Sequence, residues 1–181
     1  EDDRHGETAK PAIDLESRWI VSLQYKRGII MTLKVTIDLE RKFTVIANID
    51  TVFALLSDVV GSVSHFPKVK TLTDLGDNKF RWEMEKVGLG SYAIQTTYAC
   101  QYVSDDEDKS VVWTPIKGEG NSLVSGKWQL SDKGEGTNIA FQTNAVLTLP
   151  LPGLLKLAIS PLVKHEFTSM VDTYIGNLKN V

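Results

Sequence analysis

The feature that most constrains the fold is a long amphipathic stretch near the end of the chain, residues 153–180, which follows a series of β-like segments. Pro161 fits the first turn of a helix better than its interior, so we expect a kink there or a helix that begins at Ser160. The apolar residues recur at steps of three and four, which is the spacing of one stripe on a 3.6-residue helix: Ile159, Val163, Phe167, Met170, Val171, Tyr174 and Leu178. A helix with one dry face needs a large apolar surface to cover it.

The segments before this helix can supply that surface. Residues 33–47 alternate β-branched and polar side chains, which is typical of a strand. Short, hairpin-length connections without an intervening helix predict an antiparallel meander rather than a parallel sheet. The meander consists of strand-like segments separated by turns that contain Gly, Asp or Asn: 69–75, 79–87, 91–103, 109–116, 122–130 and 137–149.

Between the first strand and the meander, the spacing of apolar residues changes from that of a strand to that of a helix. Asn48 or Asp50 can cap a helix that ends at Gly61, a short piece at 62–67 follows, and Pro67 prevents any further helix there. The predicted order is strand, two short helices, six strands and one long helix, an α+β protein with a seven-stranded antiparallel sheet. Because a wide antiparallel sheet twists, it curls around the helix that covers it. We expect space to remain where side chains near the open end do not meet.

Composition excludes several classes of protein. The net charge of -3 argues against a nucleic-acid-binding surface. The single cysteine, Cys100, cannot form an internal disulfide, and the first ten residues are polar and charged, so we expect a cytoplasmic protein. Residues 1–31 lack sustained periodicity and are interpreted as an N-terminal extension, native or added, before a domain at 32–181.

One apolar window, residues 145–163, is about as long as the ~20 residues that a spanning helix needs. Prolines, a glycine and Lys156 interrupt it, so a membrane-spanning helix is not predicted. A second hypothesis is that residues 149–155 form an apolar lip that contacts a membrane peripherally.

Aromatic side chains form the candidate binding site. Strand alternation places many of them on the sheet face that the helix covers, and ligand sites are typically apolar chambers with a few polar anchors. Tyr92, Tyr98, Thr96 and Gln95 are candidate anchors. The candidate ligand-binding residues are His65, Phe66, Trp82, Tyr98, Trp113, Trp128, Phe141, Phe167 and Met170.

Support for catalysis or metal chemistry is weak. His65 precedes Phe66 and Pro67 in a loop and is the one candidate acid or base, whereas His165 lies off the apolar stripe. The histidines and the cysteine have no short ligand spacing, so we expect no metal and no cofactor.

Gly126 lies in the middle of a strand beside Trp128, which predicts a sharp bend of that strand or a close approach of another group to its backbone.

Three stretches carry a resemblance to a known family: FTVIANIDTVFALLSDV leading to HFPKV, the hairpin WQLSDKGEGTNIAFQ, and PLPGLLKL at the start of the terminal helix. With this order of elements, residues 32–180 resemble the START-like, birch-pollen-allergen-like superfamily, also called SRPBCC, whose fold is the helix grip. The spacing of Gly118, Gly120, Gly126 and Gly136 is most similar to the carbon monoxide dehydrogenase G-like branch of the superfamily. The resemblance implies a hydrophobic ligand, since the superfamily includes lipid carriers, quinone-binding proteins and polyketide cyclases.

Residues and resemblance together predict a protein that binds or transports a lipid, a quinone or a polyketide-like compound between the sheet and the long helix. Residues 65–68 and 150–155 would form the gate. A cyclase or aromatase that uses His65 or a buried tyrosine in the same chamber is the alternative, and a membrane-associated accessory protein is a further one. The residues do not indicate an oligomeric state.

Overall fold

The computed structural model describes residues 30–89, 92–152 and 156–180. Within them the predicted α+β order is confirmed, with short helices after the first strand and a long helix after the last. The elements are β1 (Ile30–Val45), α1 (Ile49–Ser57), α2 (Val59–Ser62), a 3₁₀ turn (Val63–His65), β2 (Val69–Gly76), β3 (Lys79–Met84), β4 (Val87–Leu89), β5 (Tyr92–Ile94), β6 (Thr97–Asp105), β7 (Ser110–Pro115), β8 (Ser122–Asp132), β9 (Thr137–Pro152) and α3 (Lys156–Leu178).

The main sheet has the predicted seven antiparallel strands, and their order is β1-β9-β8-β7-β6-β3-β2. From β2 onward, consecutive strands of this sheet are neighbours, so the meander is confirmed. β1 closes the order by pairing with β9 along its full 16 residues, from Ile30 opposite Pro152 to Val45 opposite Thr137. The two longest strands are therefore adjacent, and β9 leads toward α3.

The prediction was wrong about the continuity of two strands, 79–87 and 91–103. Each is interrupted, and their tips pair as a separate two-stranded sheet, β4 with β5. At the break, backbone groups bond outside the ladder of the main sheet: Glu85 N–H donates to Lys68 O at 2.8 Å, and Met84 N–H to Thr96 O at 2.9 Å. The Gln95 side chain also donates to Met84 O at 3.1 Å. Alternation continues across the break, which is why the sequence pattern did not reveal it.

The predicted inward faces are confirmed wherever the side chains are described. These residues all have less than a tenth of their surface exposed: Phe80, Trp82 and Met84 on β3, Ile94 on β5, Tyr98 and Cys100 on β6, Trp113 on β7, Val124, Trp128 and Leu130 on β8, and Ile139, Phe141, Ala145 and Leu147 on β9. The side chain of Tyr92 lies outside the described residues.

Gly126 marks a close approach, one of the two alternatives that its mid-strand position predicted. A Cβ atom built at this position would lie 2.1 Å from Cζ2 of Trp113 and 2.4 Å from the carbonyl oxygen of Gln142. Neither separation is compatible with a side chain. The glycine therefore gives the indole of Trp113 room to lie directly over β8.

α3 follows the predicted stripe, with Ile159, Val171, Tyr174 and Leu178 buried. The expectation of a kink at Pro161 or a start at Ser160 was wrong, because the helix already contains Lys156 and continues through the proline. The proline removes the hydrogen bond to the carbonyl of Leu157, a residue that is 88% exposed, so water can satisfy that carbonyl.

None of the helices in the three described ranges is both long enough and apolar enough to span a bilayer.

The two short helices are fixed by side-chain caps. Asn48 is the N-cap of α1, since its Oδ1 accepts from Thr51 N–H at 2.8 Å. Asp58 caps α2 by accepting from Gly61 N–H at 2.9 Å. Of the two predicted caps for α1, Asn48 is therefore the one used.

We predict that Asn48→Ala lowers the free energy of unfolding by about 1 kcal/mol, because it leaves a helix N–H without its acceptor. Asp50→Ala is the matched control: its carboxylate lies 2.7 Å from Lys109 on the surface, and such exposed pairs contribute up to about 1 kcal/mol and often much less. Urea denaturation of both variants measures the difference. Equal losses would contradict the assignment of the cap.

Candidate functional site

Two cavities lie side by side between the sheet and α3, each of about 70 Å3. One, here called the aliphatic cavity, is lined mainly by carbon atoms of side chains such as Ile37, Met84, Leu147 and Met170. It occupies the region where the middle of α3 is only partly buried, between the buried Ile159 and the buried Val171. The middle of α3 is therefore the part of the helix that borders this cavity.

The second cavity, here called the aromatic cavity, lies farther along α3 toward Tyr174. Its walls are rings in mutual contact, with centroids 4.4 Å apart for Trp128 and Phe141 and 6.0 Å apart for Trp113 and Phe141. On the other side, Trp82 and Tyr98 are parallel within 6° at a centroid distance of 6.0 Å. The rings come from β3, β6, β7, β8 and β9, so the curved sheet gathers one wall from strands far apart in sequence.

Four side chains line both cavities: Phe66, Tyr98, Val124 and Phe167. Phe66 and Phe167 are partly exposed, whereas Tyr98 and Val124 are buried in the sheet. The boundary between the cavities therefore consists of two fixed groups and two rings at the protein's edge. The two cavities together approach the ~150 Å3 that accommodates benzene in an engineered protein cavity. Displacing the phenylalanine rings would join the cavities and would add the volume that the rings occupy.

The aromatic cavity is lined by three tyrosines whose hydroxyl pKa values are raised by burial. Burial raises the pKa of Tyr98 far above its ordinary value, and it raises the pKa of Tyr174 to about 12. The pKa of Tyr102 is also raised by burial. These phenols are protonated at neutral pH, so they can donate hydrogen bonds but are poor proton acceptors.

The remaining polar groups of the residues that line the aromatic cavity are two short hydroxyls and the indole N–H groups of three tryptophans. The hydroxyls of Ser62 and Thr143 donate to backbone oxygens, of Val59 at 3.3 Å and of Ser125 at 2.9 Å. The indole N–H of Trp82 is buried without a well-formed hydrogen bond among the described residues. It lies close enough to the Tyr102 hydroxyl to lower the Tyr102 pKa slightly, which offsets only part of the rise due to burial.

Charged groups occur at the edge of the aliphatic cavity, where Lys68, Glu85 and Glu166 contribute to the lining. Lys68 Nζ lies 2.7 Å from Glu166 Oε2 on α3. The backbone of Lys68 adopts the left-handed region, with φ of 59°, which is uncommon outside glycine. Next to it, the side chain of Asn177 donates to the carbonyl oxygen of His65 at 2.7 Å. Both contacts hold the 65–68 loop against α3.

The structure separates the sequence-predicted site residues into three groups. His65 lines neither cavity within the described part of the chain, and its contact with α3 is through its carbonyl oxygen. Met170 lines the aliphatic cavity. The other seven predicted residues line the aromatic cavity: Phe66, Trp82, Tyr98, Trp113, Trp128, Phe141 and Phe167.

Among the predicted polar anchors, Tyr98 and Thr96 line the aliphatic cavity, and Gln95 instead bonds to the backbone of Met84. The part of the predicted gate at 150–155 lies mostly outside the described residues.

Several lining residues were not predicted. Tyr102 lies four residues after Tyr98 on β6, so the two-residue alternation of a strand puts both side chains on the same face. Tyr174 was part of the helix stripe but was not assigned to the site. Glu166 carried no signal, because its partner Lys68 is 98 positions away and only the fold brings the two together.

A curved antiparallel sheet that packs on a long C-terminal helix, with short helices after the first strand, defines the START-like helix-grip fold, and this chain has that fold. Neither protein-family models nor curated protein sequences match it.

Solved structures show the likeness. A START superfamily protein from Mycobacterium smegmatis matches with a TM-score of 0.58 at 14% identity, over 79% of this chain and 94% of that one. A protein from Thermus thermophilus matches with a TM-score of 0.56 at 19% identity, with the same shares. The Zhui aromatase/cyclase from a Streptomyces species matches with a TM-score of 0.53 at 16% identity, over 80% of this chain and 90% of that one. At these identities the likeness concerns the fold, and the relation to the carbon monoxide dehydrogenase branch stays a prediction.

The buried phenols predict how stability changes with pH. A phenol whose pKa is higher in the folded state than in the unfolded state makes the fold less stable as pH rises above the unfolded value of about 10. For Tyr174 the loss continues to a pH of about 12. The slope approaches about 1.4 kcal/mol per pH unit for each such tyrosine.

We therefore expect Tyr174→Phe to make the decline in unfolding free energy between pH values of about 9.5 and 11 shallower than in the wild type. Urea denaturation at several pH values in that interval measures the slope. Thr173→Ala, at an exposed neighbouring position, should leave the wild-type slope. An unchanged slope in Tyr174→Phe would show that its hydroxyl is solvated in the folded protein.

Proposed function

We propose that this protein binds a hydrophobic small molecule in the space formed by the aliphatic and aromatic cavities, and that residues 32–181 form the binding domain. The observation that carries the proposal is the adjacency of the two cavities, which share Phe66, Tyr98, Val124 and Phe167 as a common boundary. A core that served packing alone would close this space, because protein interiors contain few voids larger than a water molecule. The START-like fold supports the proposal at the level of fold.

The energetics are adequate without any catalytic group. A ligand that buries about 300 Å2 of apolar surface gains on the order of 7 kcal/mol before ordering costs, at about 25 cal/mol per Å2. Each cavity alone is smaller than one aromatic ring requires, so a ligand of two or more rings must displace Phe66 or Phe167. Both rings are only partly buried, which makes that displacement less costly than moving Tyr98 or Val124.

Val124→Phe tests the shared boundary. A ring added at this buried position projects into the junction and competes with the ligand, so we expect the affinity for the apolar probe 1-N-phenylnaphthylamine to fall by at least tenfold. Fluorescence titration measures the dissociation constant, and circular dichroism checks the fold, since overpacking typically costs about 1–3 kcal/mol.

Val103→Phe provides the control for this substitution. It adds the same ring on β6 at a residue that is 60% exposed and belongs to neither cavity. Its affinity should match the wild type. If Val124→Phe binds the probe as well as Val103→Phe does, the ligand does not occupy the proposed space.

The edge of the aliphatic cavity is the proposed route of access. The Lys68–Glu166 pair joins the 65–68 loop to α3 there, and opening this edge requires the pair to separate. Exposed ion pairs contribute up to about 1 kcal/mol, so the pair can slow the exchange of ligand without greatly changing its affinity.

Glu166→Gln should therefore accelerate association and release of the same probe together, by up to about fivefold, with little change in the dissociation constant. Stopped-flow fluorescence measures both rates. Asp172→Asn removes another carboxylate of α3, which pairs with Arg41 at 2.8 Å and lies in neither cavity, and it should leave both rates unchanged. Acceleration in both variants, or in neither, would place the access route elsewhere.

A second candidate function is a cyclase or aromatase that uses the same space. It is favoured by the fold shared with the Zhui aromatase/cyclase and by the hydroxyl groups of the aromatic cavity. Against it, the phenols have raised pKa values and His65 lies outside both cavities, so the geometry favours binding. Two experiments test this preference. Native mass spectrometry identifies any molecule that co-purifies with the protein. Incubation with an open-chain polyketone tests for catalysis, and release of a ring-closed product would establish the enzyme instead.

A further inference from the structure

The aromatic cavity contains a buried hydrogen-bond donor, the indole N–H of Trp82, that makes no well-formed hydrogen bond among the described residues. We infer that its ligand is a neutral, ring-bearing molecule with a carbonyl oxygen, and that this oxygen accepts hydrogen bonds from the indole N–H of Trp82 and the hydroxyl of Tyr98. This inference rests on the proposed function, because it specifies the chemistry of the molecule that occupies the proposed space.

Trp82 provides the first observation. It is 6% exposed, it lines the aromatic cavity, and its N–H has no well-formed hydrogen bond among the described residues. An indole N–H can only donate. The Tyr102 hydroxyl lies near it without completing a well-formed hydrogen bond, so the group that Trp82 lacks is a well-placed acceptor. A buried donor without an acceptor is unfavourable, and each such group in a folded protein requires an explanation such as a ligand that is not part of the structure.

Tyr98 provides the second donor at the same place. It lies directly opposite Trp82 in the β3–β6 ladder, and the two rings are parallel with centroids 6.0 Å apart. Tyr98 also lines both cavities. Burial and the nearby Cys100 raise the pKa of Tyr98. Its hydroxyl therefore stays protonated and can donate a hydrogen bond.

Charge and donor count limit the ligand further. The described residues that line the aromatic cavity include no Asp, Glu, Lys, Arg or His. A carboxylate or an ammonium group would be buried there without a counter-charge, which is strongly unfavourable. A carbonyl oxygen is neutral, has two lone pairs and brings no proton of its own, so it matches two donors. A ligand hydroxyl would instead add another donor to a cavity that already has several.

The orientation of the ligand follows from the second cavity. Tyr98 stands at the boundary, and beyond it the aliphatic cavity offers mostly carbon surface up to the Lys68–Glu166 pair. The carbonyl end of the ligand thus lies near Trp82, and the apolar remainder extends toward the edge between the 65–68 loop and α3.

A matched pair of probes tests the inference. 2-Acetylnaphthalene and 2-isopropylnaphthalene have the same rings and a substituent of the same branching, but only the first has a carbonyl oxygen. Equilibrium dialysis gives the dissociation constant of each probe for the wild type, Trp82→Phe and Tyr98→Phe. We expect each variant to lose about fivefold to tenfold in affinity for the ketone, the effect of one hydrogen bond, and less than twofold for the hydrocarbon.

The infrared stretch of a 13C-labelled carbonyl gives a readout that packing alone would not change. Bound to the wild type, the band should lie at lower frequency than in hexane, because hydrogen bonds weaken the C=O bond. In each variant it should return part of the way toward the value in hexane. Tyr98→Phe removes a single oxygen atom, so it decides the matter if Trp82→Phe does not fold.

The outcomes separate this inference from the proposed function. If both probes bind and neither variant alters the ratio of their dissociation constants, the carbonyl assignment is wrong while the proposed function stands. A carbonyl band that is not shifted in the wild type would likewise contradict the carbonyl assignment and leave the proposed function standing. If neither probe binds the wild type, the proposed function fails and the inference fails with it.

Discussion

The pairing of β1 with β9 is the interaction on which the rest of the structure depends. It joins residues 30–45 to residues 137–152 along 16 positions, so it brings together segments that are distant in the chain. β9 also continues toward α3. The pairing therefore sets where the long helix starts relative to the sheet, and without it the meander would have no defined partner for its apolar face. Contacts between segments so distant in sequence are costly to form, since the loop entropy must be overcome first.

The same aromatic residues belong to the hydrophobic core and line the aromatic cavity. Trp128 and Phe141 are almost fully buried and contact each other closely, yet they also border open space. A curved sheet explains how both can be true. The C-terminal half of α3 is well covered, since Val171 and Tyr174 are buried, whereas Val163, Phe167 and Met170 in the middle of the helix are only partly buried. The aliphatic cavity lies along this less covered part of the helix.

Much of this arrangement was accessible from the sequence, because period and turn residues are local signals. Alternation identified the buried faces of β3, β6, β8 and β9, whereas the continuous apolar run of β7 left the phase of Trp113 open until the structure placed it inside. What failed depended on distant parts of the chain. The break after Met84 is made by bonds to residues 68 and 96, and the role of Glu166 depends on Lys68. Pro161 was judged by local propensity, whereas the packed helix continues through it. Cavity placement required the curvature of the sheet, which no local pattern encodes.

The absence of a side chain at Gly126 has an evolutionary consequence. This residue supports the indole of Trp113 from behind, since any Cβ there would overlap Cζ2 of the ring. A methyl group at this position would overlap both the ring and the carbonyl oxygen of Gln142, so it would displace β9 as well as the indole. Under the proposed function, the shape of the binding space therefore depends on a residue outside its lining, and proteins with the same lining residues need not prefer the same ligand.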